Sequence, residues 1–246
     1  MALFRLGRRG PCQQDGEGKM IHQKLPLPVQ EAFDIHTEAG SAAAPTAGLS
    51  ASSDPTLAAR RDGLALFLLA LTYATLRYQV GKGVPWADWP IYTVNKALGV
   101  AVLGLIAVGL IRVVARRITR LGEHFALAGQ AMVAHCVLSL ALLQPAYFPK
   151  FFAEGKLTGP ASLALLSGVA ALIAFRASRT QAQRWSLENR MRVAGAIAFT
   201  AGLHAALPGT GTWLAFEAWP LNLPPITLIA FIVGICTACL PWLRAR

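Results

Sequence analysis

A chain of 246 residues with 14% charged and 54% hydrophobic side chains, at a mean hydropathy of +0.47, is not composed like a soluble domain. Such a domain carries roughly a quarter charged residues. The net charge of +11 does not indicate nucleic acid, because the arginines lie at the ends of apolar runs and no basic surface with interleaved aromatics appears. It reads instead as topology, with arginine retained on the cytoplasmic side of each membrane span.

Residues 1–58 form a polar tail that ends in the low-complexity stretch AGSAAAPTAGLSASSDP. This Gly, Ala, Ser and Pro mixture buries too little apolar surface to offset ordering entropy, so disorder is expected. The opening residues lack the apolar core of a secretory signal. His22 and His36 fall in this tail as solvated bystanders.

Six apolar spans follow, at 63–80, 92–115, 122–144, 157–175, around His204 in 192–209, and at 226–243. Each is long enough to cross about 30 Å of hydrocarbon as a helix. Prolines such as Pro145, Pro160, Pro208 and Pro225 mark the span ends, where proline is tolerated. The expected fold is therefore all-α: a polytopic membrane protein in which 59–246 make a six-transmembrane-helix bundle behind a disordered N-terminal tail.

Charge sets the expected orientation. Arg112, Arg116, Arg117 and Arg120 follow the second span, and Arg176, Arg179, Arg184, Arg190 and Arg192 lie between the fourth and fifth. The opposite connectors carry Lys82, Lys150 and Lys156 among Asp88, Glu154 and Glu217, with Trp86, Trp89, Phe148, Trp213 and Trp219 as an interfacial belt. Both termini are then cytoplasmic. Cys12, Cys136, Cys236 and Cys239 imply no disulfide framework. The Cys236-x-x-Cys239 pair has no second pair or nearby histidine and reads as small helix-packing residues.

Two histidines stand inside spans. His135 lies twelve residues past Glu123, and His204 lies twelve past Arg192. At about 1.5 Å per residue each sits roughly 18 Å from the inner boundary. An ionisable residue at such depth is costly and marks function by default. Equal depth on two co-directional helices is what ligation of one haem from both faces requires. Small neighbours (Ala128, Gly129 and Ala131; Gly195, Ala201 and Gly202) would let a flat macrocycle approach or let helices touch, and Met132 and Phe199 would pack on its face or edge. His124, three turns before His135 on the same face, is either a ligand to a second, inner haem or a solvated helix-end residue. Its counterpart positions on the fifth span hold Val193 and Asn189, which weighs against a second haem.

This pattern resembles the ferric-reductase-like transmembrane domain family over about residues 60–243. The similarity rests on Pro90-Ile-Tyr-Thr-Val-Asn-Lys96 leading into the second span, His135 on the third, and Arg184-Trp185 leading into the span that ends at His204. Members often carry a further histidine shortly after the tryptophan, where this chain has Asn189. The resemblance implies haem b held by His135 and His204, electron transfer from a flavin or nicotinamide partner on the cytoplasmic side, and an acceptor at the outer face. No G-x-G-x-x-G stands in a strand–turn–helix context, so a flavoprotein reductase is expected as a separate chain. The inner arginines could dock an acidic redox partner or simply fix topology. The alternative from another class is a haem-free membrane scaffold, assembly factor or small transporter. The absence of internal repeats disfavours the transporter.

Overall fold

The computed structural model of the chain describes residues 54–115 and 121–244. The tail expected to be disordered, with His22 and His36, lies outside them up to residue 53. Its expected boundary at 58 moves. The Asp54 carboxylate accepts the Thr56 N–H at 2.9 Å, Pro55 occupies the first turn, and helix α1 (Pro55–Thr75) starts there. An N-terminal proline has no needed N–H to lose, and the acid satisfies an orphan donor.

Five further helices follow: α2 (Val94–Val114), α3 (Gly122–Ala141), α4 (Gly159–Gln181), α5 (Leu187–Ala206) and α6 (Ile226–Arg244). Thr158 caps α4 and Ser186 caps α5, each through its hydroxyl. Between α3 and α4 a small antiparallel hairpin joins β1 (Phe152–Ala153) to β2 (Lys156–Leu157). Its two turn residues, Glu154 and Gly155, have φ of 51° and 75°, the left-handed pair that a two-residue hairpin turn needs.

Five of these elements, those built on α1, α2, α3, α4 and α6, are long and apolar enough to cross a membrane. Helix α5 is not among them, because Glu188, Arg190 and Arg192 occupy its first turns and lower its hydropathy. Outward faces are apolar: Leu64, Leu68 and Leu69 on α1 and Leu163, Leu166 and Ile173 on α4 are all exposed, the surface a lipid bilayer would cover.

Helix α2 is the centre of the bundle and packs on α1, α3, α5 and α6. Leu103, Leu105, Ile106, Leu110 and Val113 on it are all but fully buried, so the helix is hydrophobic on every side, as a central helix must be. Helices α5 and α6 make the closest pair. Gly195 lies against Ala238, and Gly202 against Ala230 and Gly234. Of the two roles expected for these glycines, approach of a macrocycle or of a helix, it is the second that they fill here. Cys236 and Cys239, expected to pack between helices, are exposed on α6.

A Cβ at Gly234 would lie 2.8 Å from the Ala198 carbonyl oxygen. Gly234→Val should therefore destabilise the bundle by about 1–3 kcal/mol, the usual cost of overpacking. Thermal unfolding in detergent would show it as a lowered midpoint, and an unchanged midpoint would rule out this tight crossing.

Candidate functional site

His135 on α3 and His204 on α5 meet across the seam that separates α3 from the α4–α5 pair. Their ring centres are 6.3 Å apart and their planes stand at 85°. Each ring is tethered by the same device. His135 Nδ1 lies 3.0 Å from the carbonyl oxygen of Asn95, and His204 Nδ1 lies 2.6 Å from that of Ala164. A carbonyl only accepts, so Nδ1 carries the proton and donates in both rings. In the neutral ring this leaves the Nε2 lone pair for a ligand, the arrangement in which a metal-binding histidine is held by its second-shell partner.

The two tethers share their spacing. Each histidine follows its carbonyl by 40 residues, on the next helix in the chain. Four residues beyond each carbonyl stands a glycine, Gly99 on α2 and Gly168 on α4. A Cβ at Gly99 would come within 3.2 Å of His135 Cε1, and one at Gly168 within 2.9 Å of His204 Nδ1. The glycines open the flank of their helices so that an imidazole can reach a carbonyl already bonded within the helix.

The two halves differ in one respect. The Asn95 side chain donates to Ser139 Oγ at 3.0 Å, one turn beyond His135, so α2 grips α3 twice. The equivalent positions on the other pair are Ala164 and Pro208, which form no such bond. Helices α2 and α3 thus share one more tie beside their histidine than α4 and α5 do.

Further along the seam Phe125 and Phe175 stack with centres 4.6 Å apart, and Gly129 makes room for the Phe175 ring. Met132 is buried in the main core, whereas Phe199 is 42% exposed.

His124 is not a solvated helix-end residue. It is 4% exposed, and its Nε2 lies 2.8 Å from Asp62 Oδ2 on α1. The same oxygen takes Arg112 of α2 at 2.6 Å, so the cluster ties three helices together at the end of the bundle remote from the histidine pair. Gly109 leaves the space against which the His124 Cβ packs. The nitrogen a haem would need is engaged by a carboxylate. Val193 packs against the core, and the Asn189 N–H bonds its cap Ser186, so the structure brings no partner imidazole to His124.

Sequence reasoning singled out His135 and His204 but missed Gly99, Ala164, Gly168, Ser139 and Asp62. Among the described residues no group of three or more His, Cys, Asp and Glu side chains is placed to hold a metal ion. Comparison with protein families, curated proteins and solved structures finds no match for this chain.

Replacing Asp62 by Asn removes the charge that His124 and Arg112 share. The expected loss is about 1–3 kcal/mol, the range for a hydrogen bond to a charged group. Chemical denaturation in detergent would report it, while the histidine pair at the other end stays intact. A variant as stable as the parent would show that the cluster contributes nothing.

Proposed function

We propose that this chain is a b-type haem electron-transfer protein of the ferric-reductase-like kind, with His135 and His204 as the two axial ligands of one haem. The observation that carries the reading is the spacing of the rings, 6.3 Å between centres. A metal–imidazole bond of about 2 Å, plus roughly 1 Å from nitrogen to ring centre, holds two imidazoles on one ion about 6 Å apart.

The donor set fits the same group. Two imidazoles are too few for a bare ion such as zinc, which takes four ligands in closed sites. They are the full axial complement of a haem, whose macrocycle provides the remaining donors. Both rings have Nδ1 occupied by a backbone carbonyl, which fixes tautomer and orientation before any ligand arrives. When bound, haem supplies one-electron redox chemistry at iron. The chain's own part is to hold the two Nε2 atoms in place and to keep water away with apolar walls.

On this reading all six helices cross the bilayer, with α5 tolerated because its charged turns lie at the boundary. Both termini face the cytoplasm, where the arginine-rich end meets a separate flavoprotein reductase. Electrons leave at the opposite face. A single haem is proposed, since His124 already has a carboxylate partner.

A reduced-minus-oxidised absorption spectrum of the purified protein, with iron quantified per chain, tests the assignment. The parent should show a low-spin bis-imidazole spectrum and one iron. His135→Ala and His204→Ala should each abolish that signature and weaken haem retention by more than about tenfold, the scale set by losing even an outer-shell partner of a ligand. His124→Ala should keep one haem. Colourless protein from haem-replete cells would refute the reading.

A further inference from the structure

The end of the bundle where α1 finishes and α2 begins gathers several cations, Arg77, Lys82 and Lys96. Two π-helical turns build it, Leu76–Val80 and Trp89–Thr93. Such turns are rare and frequently mark functional sites. The first buries three consecutive residues, Arg77, Tyr78 and Gln79. Arg77 donates to the Leu223 carbonyl, but its Nε has no acceptor. Gln79 accepts from the Thr93 hydroxyl at 2.9 Å, and its Nε2 has no acceptor either.

Lys82 lies over the Tyr78 ring, and Lys96, in the first turn of α2, is caged by two rings. Lys96 Nζ is 5.0 Å from the centre of Tyr92 and 4.5 Å from that of Phe148. Aromatic faces attract an ammonium but offer its three N–H groups no conventional acceptor. Among the described residues no carboxylate lies within ion-pair distance of Lys96. The nearby Asp88 instead accepts the Tyr147 hydroxyl at 3.4 Å. Burial, and then the charges of Arg77 and Lys150, hold the Lys82 ammonium below the usual lysine range.

Position links this cage to the histidine pair. Lys96 follows Asn95, whose carbonyl tethers His135, so both stand in the same turn of α2. A sheltered cation needs a partner, and Lys96 has two aromatic faces but no carboxylate among the described residues. We propose that Lys96 is the counter-cation for a carboxylate of the group that His135 and His204 hold. The proposal rests on the haem reading above, under which that carboxylate is a propionate.

The test is a titration of full-length apoprotein from haem-depleted cells with haem and with haem dimethyl ester, whose propionates carry no charge. The parent should bind haem at least tenfold more tightly than the ester. Lys96→Gln should bind both alike while keeping the bis-imidazole spectrum, and Lys96→Met serves if that variant does not fold. A variant that keeps the parent's preference overturns the proposal. Parent protein that binds neither form removes the haem reading and this proposal with it. Equal binding of both forms by the parent, with a melting point that succinate raises only when Lys96 is present, assigns the cage to a free carboxylate. Equal binding with no Lys96-dependent response to succinate rejects the carboxylate altogether.

Discussion

Everything at the histidine pair depends on two backbone carbonyls that serve twice. In a helix the carbonyl of residue i is taken by the N–H four residues on, and a side chain at that later position normally screens the oxygen. With glycine there, the oxygen keeps a free lone pair and an open approach. Asn95 with Gly99, and Ala164 with Gly168, meet this condition on two helices, and each receives an imidazole N–H from the next helix in the chain. A histidine in an apolar bundle must place that proton somewhere. Here the acceptor also dictates which ring nitrogen stays available.

The ties between helices are shared unevenly by the halves. Helix α2 is the central helix of the bundle, and Asn95 on it holds α3 through both its backbone and its side chain. Helix α4 exposes much of its apolar surface and holds His204 by one carbonyl alone.

The histidine pair was legible in the sequence because depth in an apolar span is a count of residues, and 135 and 204 give the same count from Glu123 and Arg192. The glycines were not legible in the same way. Gly99, Gly168, Gly195 and Gly202 look alike in a membrane-type sequence, yet two receive a histidine and two receive helix α6, a difference set by which helices become neighbours. His124 was misread for a related reason. Its partner Asp62 lies 62 residues earlier, in a stretch whose hydropathy says nothing of side-chain direction. The exposure of Phe199 likewise follows from the rotation of α5, which its close contact with α6 fixes. Periodicity and hydropathy found the helices, and pairing decided the rest.

The two ends of the bundle treat charge in opposite ways. At the end held by Asp62, one carboxylate oxygen takes both His124 and Arg112, and the cluster closes three helices without needing anything further. At the other end Arg77 Nε and Gln79 Nε2 find no acceptor among the described residues, although both residues are as buried as His124. A packed interior does not usually leave such groups unanswered, because each costs about 1–3 kcal/mol. The closed end behaves as structure, and the open end is where the proposed carboxylate would lie. The histidine pair lies toward that open end, since Asn95, which holds His135, stands in the same turn of α2 as Lys96.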